Sequence, residues 1–205
     1  MKKLFQKTVL LLFSTSLLLT SCNEESSEQN LNAKSKADLY LRNFYKTDYH
    51  VGKSVDGRML NSNISANART IEFEDVVLEE IFIGDDERAR GYIVTDKATD
   101  EFLYFVDVDR INFKLTAYDP AVNQTIIKEN IHLLQEWAES NKLDYVKLFE
   151  EYNQAVSSGN QDRRRFWGWT EWRPVGDCNN GKRTLVRSHY ILGVRDEIQH
   201  NIVDC

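Results

Sequence analysis

The sequence of 205 residues lacks the short motifs that identify many hydrolases. It has no G-x-S-x-G nucleophile turn and no H-E-x-x-H zinc helix, which argues against a serine hydrolase of that type and against a zinc peptidase. No acidic loop has the D-x-D-x-D-G spacing of a calcium site. We therefore predict no catalytic residue, no metal ligand and no cofactor. The four histidines are scattered, at His50, His132, His189 and His200.

Basic residues and cysteines are also few. The 26 Lys and Arg residues are outnumbered by 32 Asp and Glu residues, which gives a formal net charge of −6. An acidic chain is a poor candidate for binding nucleic acid, so we exclude that class of partner. The three cysteines, Cys22, Cys178 and Cys205, are too dispersed to supply the ligand set of a zinc site.

The apolar run from Val9 to Leu19 is too short to span a bilayer. It follows three lysines and ends in Leu19-Thr20-Ser21-Cys22, which is the layout of a secretion signal. This segment resembles the lipobox of bacterial lipoproteins. The resemblance implies that residues 1–21 are a signal peptide and that Cys22 receives lipid, including palmitate, and becomes the first residue. The protein would then be attached to a membrane without crossing it. An ordinary signal peptide with a cysteine at the cleavage point is the alternative.

The residues after Cys22 bear on location. In lipoproteins, aspartate at the next position often causes inner-membrane retention, so Asn23 implies the outer membrane. Glu24 and Glu25 resemble the surface-export signal of Bacteroidota-type lipoproteins, and a periplasmic orientation is the alternative. Residues 22–36 are small and polar, which predicts a flexible tether.

Two cysteines remain if lipid occupies Cys22. Outside the cytoplasm they can oxidise, so we predict a Cys178–Cys205 disulfide. It would close a loop of about 27 residues and stabilise the fold by about 3 kcal/mol in the loop-entropy model. Two free thiols, or a bond to another molecule, are the alternatives.

Residues 37–160 have the pattern of an α+β domain. Apolar residues from Leu39 to Tyr45 predict a short helix, and the polar stretch 46–69 predicts a long loop. Apolar segments separated by turn residues then predict a four-stranded antiparallel meander. Its strands cover Ile71–Ile83, Tyr92–Val94, Phe102–Val108 and Ile111–Ala117, and the last alternates between apolar and polar side chains.

A helical pair is predicted after the meander. Asp119 and Pro120 suit the N-cap and the first position of a helix, and apolar residues keep helical spacing as far as Ala138. A second helix is expected from Leu143 to Val156. Since each helix has one apolar stripe, we expect the pair to cover one face of the meander.

Residues 161–205 form the predicted β tail, which is rich in tryptophan and arginine. The series Trp169, Trp172, Cys178, Arg183 and Arg187 resembles a thrombospondin type 1 repeat, although that family has more cysteines and a shorter step from tryptophan to cysteine. The resemblance implies tryptophans interleaved with arginines through cation–π contacts, and a role in adhesion or glycan binding. Arg183 and Arg187 are four residues apart and should share one face of a strand.

These features predict a non-enzymatic binding module at the cell envelope, with a protein or a glycan as partner. The candidate ligand-binding residues are Trp167, Trp169, Trp172, Arg183 and Arg187. Three alternatives stay open. In the first, the tryptophans simply form the core of a short tail, and in the second the protein is an envelope enzyme without a recognisable motif. The third is an inhibitor of a secreted peptidase, because a helix followed by Gly91-Tyr92-Ile93-Val94 resembles the inhibitory pro-segments of some secreted bacterial cysteine peptidases.

Overall fold

A computed structural model describes residues 33–60, 73–140, 142, 144–158 and 165–205. Cys22, the predicted signal peptide and most of the predicted tether lie outside these residues. The described chain is mostly antiparallel β sheet with a few helices. Its elements are α1 (Ala33–Tyr45), β1 (Tyr49–Leu60), β2 (Phe73–Ile83), β3 (Gly91–Asp96), β4 (Phe102–Asp109), β5 (Lys114–Asp119), β6 (Gln124–Lys128), a 3-10 turn (Ile131–Leu133), α2 (Gln135–Ser140), α3 (Tyr145–Ser157), β7 (Gly168–Trp169), β8 (Arg173–Asn179), β9 (Lys182–Ile191) and β10 (Val194–Asp204).

The first sheet is a meander of six strands, β1 to β6, in the order of the sequence. The predicted strands correspond to β2–β5, whereas β1 and β6 were not predicted. β1 lies in the stretch 46–69 that we expected to be a loop. Most of its residues are exposed, and Met59 is its one buried residue. A strand with so little buried surface has no clear apolar alternation to detect.

The predicted helical pair is not confirmed, because its first helix is replaced by β6, the 3-10 turn and the six-residue α2. Asp119 Oδ1 does accept a hydrogen bond from the Ala121 amide at 2.9 Å, as an N-cap would. The chain then reverses at Asn123, which has a φ of 48°. The same aspartate interaction can open a helix or a turn. The second predicted helix is present as α3, where Asp144 caps the amides of Val146 and Lys147.

Three hairpin turns of this sheet share one design. In each, an aspartate side chain accepts a hydrogen bond from an amide two residues later, and the residue four positions after the aspartate has a positive φ. The aspartates are Asp96, Asp109 and Asp119, and the positive-φ residues are Asp100, Phe113 and Asn123.

Helices pack on opposite faces of the first sheet. On one face α1 buries Ala37 and Leu41 against Ile81, Ile93 and Phe105. On the other face α3 buries Tyr145, Val146 and Phe149 in the larger core cluster. Gly57 allows this approach, since a Cβ at that position would lie 2.4 Å from Phe149 Cζ.

The second sheet contains β7 and β8 on one side of β9, and β10 on the other. Its end nearest the first sheet contributes Phe166, Trp167, Ile191, Leu192 and Val194 to the larger core cluster. At its far end Cys178 and Cys205 lie at disulfide distance, with 6.1 Å between their Cα atoms, as predicted. No helix within the described ranges is long and apolar enough to cross a membrane.

Candidate binding surface on the C-terminal sheet

The candidate site lies on one face of strand β9. Pairing along β9 is continuous, and alternate residues of a strand share a face. Ile191 and His189 are buried at the core end of this face, whereas Arg187 and Arg183 are half-buried farther along. The face therefore passes from the core towards solvent, and the predicted placement of both arginines on one face agrees with the strand register.

Arg187 lies between two tryptophan rings. Its guanidinium carbon is 4.4 Å from the ring centroid of Trp169 and 4.7 Å from that of Trp172. All three side chains are half-buried. We call these three residues the Trp–Arg ladder. Each cation–π contact contributes about 0.5–2 kcal/mol, with the larger value for desolvated pairs.

Gln199 on β10 fixes the orientation of the guanidinium. Gln199 faces Arg187 across the β9–β10 pair, and its Oε1 accepts hydrogen bonds from Arg187 Nε at 3.0 Å and Nη2 at 2.7 Å. Gln199 Nε2 in turn donates to Glu197 Oε1 at 2.9 Å. The two hydrogen bonds from Arg187 to Gln199 occupy one edge of the guanidinium. Its Nη1 group has no hydrogen-bond partner among the described residues, so its donor capacity is not used there.

A buried ionic group supports the inner end of the ladder. The His189 ring lies 5.0 Å from the Trp169 ring, and His189 Nδ1 is 3.5 Å from Asp196 Oδ2. Lys128 of β6 ion-pairs with the other oxygen of Asp196 at 3.2 Å. Burial would raise the pKa of Asp196, but His189 and Lys128 together outweigh it and hold that pKa below its ordinary value. This group ties the ladder to the first sheet.

The other predicted ligand residues are placed differently. Trp167 is 6% exposed and stacks on Tyr104 with 4.3 Å between ring centroids, so it is a core residue. Arg183 is on the face of Arg187 but stacks on no tryptophan among the described residues, and its Nε is buried without a hydrogen-bond partner. Sequence reasoning missed Gln199, His189 and Asp196. Their roles depend on strand register and on the bulge at Asp196, for which the sequence gives no signal.

Two other groups of charged side chains have their polar atoms engaged within the domain. Arg90 bridges Asp107 and Asp109 at 3.0 and 2.8 Å, so both carboxylates already have an ion-pair partner within the domain. A cavity of about 270 Å³ is lined by several charged side chains. Two of them already have structural roles, because Arg110 Nη1 donates to the Ala89 carbonyl and Asp144 caps α3. The lining residues of this cavity are Glu80, Phe82, Glu87, Arg88, Ala89, Tyr92, Arg110 and Asp144.

No cluster of three or more His, Cys, Asp or Glu side chains suited to a metal ion occurs within the part of the chain that the structure describes. Comparison with known proteins gives no match for the chain, whether to a protein-family model, to a curated protein or to a solved structure.

Proposed function

We propose that the protein is a lipid-anchored protein of the bacterial outer membrane that captures a protein or a glycan through the Trp–Arg ladder. One observation carries this proposal. Arg187 is held between Trp169 and Trp172 on a face that leaves the core, and all three side chains keep part of their surface in solvent. Trp and Arg are the residues that most often dominate the energy of binding surfaces.

The chemistry of the ladder suits binding rather than catalysis. Indole rings offer flat apolar surface to a sugar ring or to an apolar side chain. The Nη1 group of Arg187 donates hydrogen bonds to a carboxylate or a hydroxyl. Because Gln199 and the two indoles already restrict Arg187, little side-chain entropy is lost when a ligand binds.

The lipid anchor rests on the Leu19-Thr20-Ser21-Cys22 segment. Acyl chains on Cys22 would attach the domain to the outer membrane through residues 23–32. An orientation towards the outside of the cell is expected from Glu24 and Glu25, and a periplasmic orientation is its alternative. In either compartment the Cys178–Cys205 pair is in an oxidising environment.

The proposal that the ladder binds a ligand can be tested on arrays of glycans and peptides. The full lipidated chain, kept in detergent, is the probe. Trp172→Ala and Arg187→Ala should each lower capture of the ligands that the wild type binds by about tenfold, which corresponds to 1.4 kcal/mol. Arg195→Ala is the matched control, because Arg195 lies on the same sheet but pairs with Glu136. It removes the same charge and should leave capture unchanged.

Two outcomes would overturn the ladder as a binding surface. One is unchanged capture by both ladder variants. The other is loss of a cooperative denaturant-unfolding transition in both variants, which would make the ladder part of the core, as the alternative interpretation holds.

A further inference from the structure

An exposed apolar group lies at the β4–β5 end of the first sheet. Ile111 is 80% exposed and Leu133 is 74% exposed. Phe113 is 38% exposed, and its ring lies 4.1 Å from the ring of His132. The Ile131 amide donates to the Phe113 carbonyl at 2.9 Å, which joins the hairpin turn to the 3-10 turn. We call Ile111, Phe113, His132 and Leu133 the apolar tip.

The backbone at Phe113 has a conformation that is unusual for an aromatic residue. Phe113 has a φ of 52°, in the left-handed region that a bulky residue rarely adopts. The equivalent positions of the two sister turns are Asp100 and Asn123, the residue types that tolerate this conformation. A strained aromatic residue at a half-exposed position is a reason to look for a contact outside the domain.

We infer that the apolar tip inserts into the interfacial region of a lipid bilayer, so that the domain lies against the membrane that anchors it. This inference rests on the proposed lipid anchor. The tip is small, with three large apolar side chains, whereas a stable protein interface buries about 800 Å² and roughly 20–30 residues on each partner. A membrane contact needs less affinity, because an acyl anchor already holds the domain at high effective concentration.

The tether is long enough for this orientation. Helix α1 runs alongside β4, with Tyr40 against Phe102 and Tyr45 against Phe105, so its first residues lie at the end of the sheet opposite the tip. An eight-residue strand such as β4 is about 26 Å long. Residues 23–32 can reach at most about 35 Å when extended. The acylated Cys22 and the apolar tip can therefore be at one membrane surface together.

Charge near the tip indicates which lipid surface it would meet. Asp85, Asp86 and Glu87 form the exposed β2–β3 turn at the same end of the sheet. The same end of the sheet also carries Arg88, Arg110 and Lys114, so it has charges of both signs. We therefore expect contact with zwitterionic phosphatidylcholine or phosphatidylethanolamine surfaces.

The test compares probes at the two ends of the sheet. Ile111→Cys places a thiol in the tip, and Val122→Cys places one in the sister turn at the opposite end, where Val122 is 63% exposed. The other cysteines are acylated or paired, so an environment-sensitive fluorophore should label only the new thiol. The lipidated chains are reconstituted into phosphatidylcholine–phosphatidylethanolamine vesicles with and without a nitroxide-bearing lipid. The probe at position 111 should be quenched several-fold more than the probe at position 122.

A second variant tests the role of the aromatic ring. Phe113→Asn keeps a residue that suits the left-handed position, as Asn123 does, but removes apolar surface from the tip. In the Ile111→Cys background it should reduce quenching at position 111 while circular dichroism stays unchanged. Stronger quenching at position 122, equal quenching at both positions, no quenching at either, or no effect of Phe113→Asn would overturn the inference.

Mass spectrometry of the same preparations distinguishes a failure of the tip inference from a failure of the proposed lipid anchor. A chain that carries acyl groups but shows no preferential quenching at position 111 overturns the tip alone. A chain without acyl groups overturns the anchor, and the tip inference with it. The array experiment on the Trp–Arg ladder is independent of either result.

Discussion

Gln199 is the residue that gives Arg187 a fixed direction. Leucine at this position has similar size but cannot accept the two hydrogen bonds from Arg187. We predict that Gln199→Leu lowers the free energy of unfolding by about 1.5–3 kcal/mol, the value of a hydrogen bond to a charged donor. Capture of array ligands should also fall, because Arg187 then samples several rotamers. Capture can be measured on the arrays and stability by chemical denaturation.

The control for this prediction is Glu197→Gln, which leaves both hydrogen bonds from Arg187 to Gln199 in place and should retain most of the capture. Equal capture by wild type and Gln199→Leu would show that the orientation of Arg187 does not matter for binding.

Asp196 gives a prediction about pH. Its folded-state pKa lies below the ordinary value of 3.8, because His189 and Lys128 outweigh burial. Its contribution to stability is therefore fully present above about pH 4 and is lost as pH falls through the lower folded-state pKa. Asp196→Asn should destabilise the protein by about 3 kcal/mol at pH 7, since it leaves Lys128 beside a neutral group.

Denaturant unfolding of both proteins at pH 7, 5, 4 and 3 checks this result. The difference in unfolding free energy should be constant between pH 7 and 5 and should shrink below pH 4. A difference that stays constant down to pH 3 would mean that Asp196 has the same pKa in the folded and unfolded chains.

Part of the candidate site was predictable at the residue scale. The resemblance implied that tryptophan and arginine interleave, and Arg187 does lie between Trp169 and Trp172. Trp167 has the same residue type and nearly the same spacing, yet it packs on Tyr104 in the core. Sequence reasoning could not separate it from its neighbours, because the difference depends on how the chain enters β7.

The disulfide belongs to the element scale, because it closes the end of β8–β10. Its loop of 27 residues predicts a stabilisation of about 3 kcal/mol in the loop-entropy model. We predict that Cys178→Ser with Cys205→Ser lowers unfolding free energy by about this amount. Amide hydrogen exchange should quicken at 182–187 and 199–204, at the far end of the sheet, and change little in β2–β5.

Unequal exchange is the decisive feature of this experiment. Faster exchange spread evenly over both sheets would mean that the far end does not open separately from the core. Wild-type protein treated with a reductant is the matched control and should give the same local pattern.

At the element scale, the sequence pattern at Asp119 predicted a helix where the chain forms a hairpin turn. The carboxylate, the proline and the following apolar residues satisfy the rules for a helix start, and Asp119 does bond to the Ala121 amide. Asp96 and Asp109 open similar turns, so the same local pattern occurs three times in one sheet. In two of the three segments a turn residue, Asp100 or Asn123, stands four positions after the aspartate. This shared spacing is the signal that favours a further hairpin over a helix.

At the scale of the whole molecule, one core connects the two sheets. Phe166 of the tail lies 4.8 Å from Phe149 of α3, measured between ring centroids. Lys128 adds an ion pair between β6 and Asp196 at the start of β10. The antiparallel meander could be predicted from alternation within each strand. The joining of the two sheets could not, because it depends on contacts between residues far apart in sequence.

The proposed attachment to the membrane would determine where this molecule acts, and it would depend on the sulfur atom of Cys22. Because acylation of Cys22 precedes cleavage in lipoproteins, we predict that Cys22→Ala incorporates no fatty acid and keeps residues 1–21. Metabolic labelling with radioactive palmitate, with intact mass as a second measurement, checks both effects. Cys178→Ala is the matched control, since it removes a different cysteine and should be labelled like the wild type. Equal label in Cys22→Ala and wild type would place any lipid elsewhere on the chain and remove the basis for an anchored domain.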